Sequence, residues 1–188
     1  MSDPVKSPPV VLVPGFMSPA WTMWPLAKYL QRSNETIVRW DYPRIFTDLD
    51  ASIVSLSKQL SAFDASSISI VSHSFGDWLT RSALHLVNSQ RSVRLISICP
   101  VTTAVPLVKL TRPISQYLAP ELRIMSRATS AAVSLPVGME IDRTVVHAKG
   151  EILVRQQKAD DQRFVLGSHT SVLFQPNVWK LVHDELQR

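Results

Sequence analysis

The chain has 188 residues, of which 45% are hydrophobic and 19% charged, with a net charge of +5. This length and balance predict one globular domain spanning residues 1–188. The single cysteine, Cys99, excludes an internal disulfide and a cysteine metal cage, and its apolar surroundings predict a buried structural thiol. Basic residues are spread along the chain without a clustered stripe, so no nucleic-acid partner is expected. No apolar run reaches the length of a membrane span, and the first residues lack a signal sequence, which favours a soluble cytoplasmic protein.

Short apolar runs alternate with stretches whose apolar residues recur at helical spacing. The predicted strands are Val10–Val13, Thr36–Trp40, Ser67–Ser72, Val93–Cys99, Arg143–Ala148 and Arg163–Leu166. The predicted helices are Trp21–Gln31, Asp50–Phe63, Asp77–Asn88 and Asn177–Leu186. Such alternation predicts an α/β protein, a three-layer sandwich with a mostly parallel sheet of about six strands. Functional side chains are then expected at the carboxyl ends of the strands.

The stretch 101–136 interrupts this alternation and is too long for a plain loop. Pro113 and Pro120 each stand where a helix can begin, which predicts a helical insertion. Two interpretations remain open: a small apolar cap over a substrate pocket, and a crossover helix with an ordinary buried face.

The third predicted strand runs directly into Ser72-His73-Ser74-Phe75-Gly76 and then a helix. This segment resembles the nucleophile elbow of the α/β-hydrolase superfamily, normally G-x-S-x-G, which makes Ser74 the candidate nucleophile. The flanking positions must be small because the turn is tight, and Ser72 replaces the usual first glycine. The alternative is a turn serine that caps the following helix.

The first predicted strand ends in Val13-Pro14-Gly15-Phe16, which resembles the oxyanion loop of lipases and esterases. The resemblance implies that the backbone N–H groups of Phe16 and Phe75 form an oxyanion hole. An ordinary Pro-Gly turn is the alternative.

A serine hydroxyl needs a base, and the chain has five histidines. His169 follows the last predicted strand, where the superfamily keeps its base. His73 adjoins the serine on the turn and is expected to point elsewhere. The others read as structural or surface residues: His85, His147 and His183.

The superfamily's order of serine, acid and histidine places the acid between Ser74 and His169. Glu151 follows the strand Arg143–Ala148, where relatives commonly carry aspartate, and is the candidate acid. A solvated loop glutamate is the alternative. The rivals precede their strands and are expected at the wrong end of the sheet: Asp142, Asp160 and Asp161.

The resemblance is nearest to small bacterial lipases and esterases and spans the whole chain. It implies cleavage of a small acyl ester through an acyl-enzyme on Ser74. Met17 and Trp21, near the Pro-Gly turn, and Leu107, in the apolar stretch 101–136, are candidate substrate contacts, although the helical spacing of the tryptophans fits core packing as well. No metal or organic cofactor is implied. A thioesterase or amidase would use the same residues, and a non-catalytic binding protein of the same fold is a further alternative. Docking to a lipid surface through residues 105–136 stays open, because four basic residues there outnumber the single acid Glu121: Lys109, Arg112, Arg123 and Arg127. Nothing indicates the oligomeric state.

Overall fold

The computed structural model describes residues 8–33, 36–44, 48–88, 90–105, 119–151 and 161–188. Its strands are β1 (Val10–Val13), β2 (Ile37–Arg39), β3 (Ser67–His73), β4 (Ser92–Ile98), β5 (Ile141–Ala148) and β6 (Asp161–Val165). They form one sheet in the order β2-β1-β3-β4-β5-β6, and every neighbouring pair is parallel. The predicted parallel sheet is confirmed.

Helices cover both faces of the sheet, as expected for parallel strands. They are α1 (Trp24–Leu30), α2 (Leu49–Ser61), α3 (Phe75–Leu84), α4 (Pro120–Met125), α5 (Ala128–Ala131) and α6 (Pro176–Leu186). One core cluster joins α2, α3, α4 and α5 to the sheet, and a second joins α1 and α6 to its other face. The strand β1 serves both, because Val11 and Val13 face the first cluster while Val10 and Leu12 face the second. The architecture is the predicted three-layer sandwich.

The helix predicted over Trp21–Gln31 is divided in two. Ala20–Met23 form a 3₁₀ turn, and the α-helix begins only at Trp24. The physical reason is Pro25, which has no N–H to donate to the carbonyl of Trp21 four residues earlier. No helix among the described residues is long and apolar enough to cross a membrane.

The register brings the carboxyl ends of the strands to one edge of the sheet. Val13 of β1 lies beside Ser72 of β3, and His73 lies beside Ile98 at the end of β4. At the other side, Ala148 of β5 lies beside Val165 of β6. The residues that follow these ends therefore gather along a single edge, where the sequence predicts the functional side chains.

The stretch 101–136 is described only in part. Its residues 106–118 lie outside the described residues, including Leu107 and Pro113. The described remainder contains α4, which begins at Pro120 as expected, and α5.

Hydrogen bonds tie these described parts to α3. Arg81 donates to the carbonyl of Val101 at 2.7 Å and also to that of Val133. Trp78 donates its indole N–H to the carbonyl of Ser130 at 2.8 Å. The described parts of this stretch therefore pack on the α3 face of the sheet.

A buried ionic network lies under the first turn of α3, centred on the fully buried carboxylate of Asp77. Arg81 donates to it at 2.8 Å, Arg143 at 3.1 Å to each oxygen, and Ser97 at 2.5 Å. The hydroxyl of Ser72 lies 3.4 Å from the same carboxylate. Burial alone would raise the pKa of Asp77, but the two guanidinium groups outweigh it and hold the pKa below its usual value.

We expect Asp77→Asn to lower the free energy of unfolding by about 3–5 kcal/mol, because it leaves the charge of buried Arg81 without its partner. Chemical denaturation at neutral pH measures the loss. The control is Asp184→Asn on α6, whose partner Lys180 is an exposed neighbour on the same helix, so little change is expected. Equal stability of the two variants would contradict the assignment of Asp77 as a structural anchor of α3.

Candidate active site

Ser74 stands between β3 and α3 in an unusual backbone conformation, with φ 53° and ψ −122°. A side chain at positive φ costs energy, so the packing around the turn must hold it there. Gly76 allows that packing, because a β-carbon on it would lie 2.3 Å from the carbonyl oxygen of Pro14. The small residue predicted at this position is thus required by the close approach of the loop after β1.

Ser74, His169 and Glu151 form one hydrogen-bonded chain. His169 Nε2 lies 2.8 Å from Ser74 Oγ, and His169 Nδ1 lies 2.5 Å from Glu151 Oε2. A carboxylate can only accept, so Nδ1–H donates to Glu151 and Nε2 is left to accept from the hydroxyl of Ser74. The side chains of Glu151 and His169 are largely shielded from solvent, at 3% and 12% exposed. The structure thus brings together the three residues that the sequence singles out.

The loops that carry Glu151 and His169 are joined through their glycines. The N–H of Gly150 donates to the carbonyl of Gly167 at 2.9 Å. A β-carbon on Gly150 would lie 2.7 Å from that carbonyl oxygen, so any larger residue would force the loops apart. Glycine at this position therefore permits the short contact between Glu151 and His169.

His73 contacts the base directly, which the sequence does not predict. Its Nε2–H donates to the backbone carbonyl of His169 at 2.9 Å, and the centroids of the two imidazole rings lie 4.9 Å apart. Burial, helped by the nearby His169, lowers the pKa of His73 from 6.5 to about 4. A neutral His73 therefore holds the loop of His169 against the end of β3 at neutral pH.

The stability of the protein should depend on pH through His73. Its pKa is lower in the folded chain, so the unfolded chain takes up the proton first as the pH falls. The free energy of unfolding should therefore fall by about 3 kcal/mol in total as the pH is lowered from 6.5 to about 4. Denaturation across this range should show a shallower loss for His73→Gln, which keeps a donor and does not titrate. Parallel curves for the two proteins would contradict this assignment.

The loop after β1 lies against the serine. A β-carbon on Gly15 would be 3.0 Å from Ser74 Cβ, which shows how closely the loop approaches. Phe16 and Met17 form the turn closed by Ser18 N–H donating to the carbonyl of Gly15 at 3.1 Å, with Met17 at φ 55°. Phe75, the other predicted oxyanion donor, is the first residue of α3. Phe75 therefore adjoins Ser74 in the chain, whereas Phe16 follows the glycine that approaches Ser74, and the oxyanion role of both backbone N–H groups stays a prediction.

Two of the residues predicted near the substrate are open to solvent. Met17 is 56% exposed and Trp21 is 63% exposed. The third, Leu107, lies outside the described residues.

The alternative candidates for the acid and the base make their contacts elsewhere in the described part of the chain. Asp142 forms an ion pair with Arg94, and Asp161 with Arg163, both towards the amino ends of their strands. Asp160 lies outside the described residues. The remaining histidines have partners away from the serine: His85 contacts the carbonyl of Ser134, His147 stacks on Phe164, and His183 contacts Ser33.

The thiol of Cys99 is a neighbour of the site that the sequence does not reveal. Cys99 follows β4 directly, at φ 46°, and is buried as predicted. Its sulfur, a carboxylate oxygen of Glu151 and a ring nitrogen of His169 lie within 4.8 Å of one another. Burial, together with the Glu151 carboxylate that accepts from the thiol, raises the pKa of Cys99 to about 12. Its position at the end of a central parallel strand is the signal that points to this edge.

No protein-family model and no curated protein matches the sequence. Solved structures do match, among them lipase B from Aspergillus fumigatus, with a TM-score of 0.74 at 20% identity over 97% of this chain and 53% of the lipase. The type II thioesterase BorB from the borrelidin biosynthetic cluster matches with a TM-score of 0.67 at 15% identity, over 99% and 93% of the two chains. The alpha/beta hydrolase domain-containing protein 10 from mouse matches with a TM-score of 0.65 at 16% identity, over 97% and 89%.

The chain has the α/β-hydrolase fold. The resemblance inferred from the elbow around Ser74 is confirmed at the level of this fold. The chain spans about half the length of the Aspergillus lipase. These identities are low, so the chemistry has to be argued from the residues of the site itself.

Proposed function

We propose that this protein is a serine hydrolase that cleaves a carboxylic ester through an acyl-enzyme on Ser74. The observation that carries the proposal is the continuous hydrogen-bonded chain from Ser74 Oγ through both nitrogens of His169 to the carboxylate of Glu151. This arrangement activates a hydroxyl that is otherwise a weak nucleophile.

The two contacts of His169 define the proton path. As Ser74 Oγ attacks the ester carbonyl, its proton passes to Nε2, 2.8 Å away, and the imidazole becomes positively charged. Glu151 stabilises that charge through Nδ1–H. The proton then passes to the departing alcohol, which leaves the acyl group on Ser74. Water activated by the same Nε2 releases the acid and restores the serine.

The negative charge that develops on the substrate oxygen needs donors beside Ser74. The backbone N–H groups of Phe16 and Phe75 are our candidates, because one lies in the loop packed on Ser74 and the other opens α3. The amino end of α3 adds a favourable dipole at the same point. One such donor contributes roughly 3 kcal/mol to lowering the barrier in other hydrolases.

The leaving group is the open part of the proposal. An oxygen ester is our first choice, and a thioester or an amide would use the same residues and the same proton path. The Aspergillus neighbour is a lipase and the BorB neighbour a thioesterase, so both substrate classes occur on this fold. Rates on matched oxygen ester, thioester and amide substrates with one acyl chain would rank the three.

A non-catalytic binding protein is the competing function, and labelling with a fluorophosphonate separates the two. An activated Ser74 should react within minutes, and mass spectrometry of the digested protein should locate the adduct on Ser74. The purified protein should also hydrolyse short or medium p-nitrophenyl esters. A protein that is neither labelled nor active on any of these esters would rule out the hydrolase and favour the binding protein.

A further inference from the structure

Three kinds of metal-binding atom lie close together around Glu151, whose carboxylate contacts His169 Nδ1. They are the sulfur of Cys99, a carboxylate oxygen of Glu151 and a ring nitrogen of His169, all within 4.8 Å of one another. Cys99 directly follows β4, and Glu151 lies three residues beyond the end of the neighbouring strand β5, so two adjacent strands lead into two of the ligands. The folded sheet therefore already brings the three residues together.

The spacing suits a small divalent ion that binds sulfur and nitrogen. Zn²⁺ binds thiolate, imidazole and carboxylate at roughly 2.0–2.3 Å, which places ligand atoms of a tetrahedral site roughly 3.2–3.6 Å apart. Here Glu151 Oε2 and His169 Nδ1 lie 2.5 Å apart, and all three ligand atoms lie within 4.8 Å of one another. Side-chain rotations that move the ligand atoms by about 1 Å would bring the three atoms to equal spacing around an ion.

We propose that Cys99, Glu151 and His169 form an inhibitory site for a thiophilic divalent cation such as Zn²⁺ or Cd²⁺. The inhibitory consequence rests on the hydrolase proposed above, whereas the binding itself does not. The ion is an inhibitor here, since the proposed hydrolysis uses only the side chains of the protein and water.

Ion binding changes the protonation of His169. The ion takes the place of the proton on Nδ1, and the neutral imidazole then carries its proton on Nε2. The thiol of Cys99 loses its proton to solvent as the sulfur–metal bond forms, so one proton is released per bound ion. An imidazole with Nε2–H cannot accept the proton of Ser74. Occupancy of the site should therefore stop hydrolysis without blocking access to the serine.

Cadmium gives a direct test, because bonding of a thiolate to Cd²⁺ produces a charge-transfer absorption in the ultraviolet and Cys99 is the only cysteine of the chain. We expect the wild-type protein to develop this band and to saturate at one equivalent of Cd²⁺. Ser74→Ala should keep the band because Ser74 is not a ligand, and so should His85→Gln, which removes an exposed histidine remote from the cluster. Cys99→Ser should abolish the band, and Glu151→Gln should weaken cadmium binding by at least about tenfold.

Two binding outcomes would overturn the proposal. One is the absence of a thiolate band in the wild-type protein at excess Cd²⁺. The other is a band that is equally strong in Glu151→Gln, which would mean that the thiol binds the ion without the cluster. Neither readout uses activity, so failure of this proposal is distinguishable from failure of the proposed hydrolase.

The activity arm uses Zn²⁺ and a p-nitrophenyl ester, with each protein normalised to its own rate without metal. The wild-type rate should fall with added Zn²⁺, and Cys99→Ser should need at least about tenfold more Zn²⁺ for the same fractional loss. His85→Gln should behave as the wild type does. Equal inhibition of the wild type and Cys99→Ser would overturn the proposal and place the inhibiting ion elsewhere.

Discussion

Replacing Ser74 with alanine should lower kcat for p-nitrophenyl ester hydrolysis by about 10⁶-fold, down to the residual rate that binding and the oxyanion donors support. The reason is that Ser74 Oγ is the atom 2.8 Å from His169 Nε2, and without it no acyl-enzyme can form. Active-site titration that counts acylated protein should fall to zero in the same variant.

The matched control for this variant is Ser55→Ala, an exposed serine on α2, a helix that carries none of the three hydrogen-bonded residues of the site. It loses the same hydroxyl and should keep the wild-type kcat. If Ser74→Ala retained more than about a tenth of the wild-type rate, another nucleophile would be responsible and the proposed mechanism would be wrong.

Replacing Glu151 with glutamine should lower kcat by about 10⁴-fold while leaving the fold intact. The amide has nearly the same size as the carboxylate, but it carries no charge to stabilise the imidazolium. Its N–H₂ group can also donate to Nδ1, which places the proton of the neutral His169 on Nε2, facing Ser74. Steady-state kinetics should show the loss in kcat, with KM little changed.

Glu151→Asp is the matched control for charge, because it keeps the carboxylate and shortens the side chain by one methylene. We expect an intermediate loss of about 10²-fold, since a displacement of about 1 Å weakens the contact with His169 without removing it. Equal activity of the glutamine and aspartate variants would mean that the charge of Glu151 does not contribute to catalysis. Glu151 would then have only a structural role.

The sheet could be predicted from local patterns because its strands are short, apolar and separated by turn residues. A parallel sheet covered on both faces requires continuous apolar strands, and Val10–Val13 shows this directly. The helix predicted at Trp21–Gln31 is divided by Pro25, because the missing N–H of proline is a local property that the periodicity of apolar residues does not register.

The order of elements, the elbow around Ser74 and the candidates His169 and Glu151 could be predicted from local sequence. Each of the three residues follows a predicted strand, and a few neighbouring residues are enough to recognise each one. Contacts between side chains that are distant in the sequence could be seen only in the folded structure. Cys99 lies beside Glu151, and His73 beside His169, because the register of parallel strands brings their carboxyl ends to one edge. Register depends on the packing of the whole sheet, and no short segment encodes it.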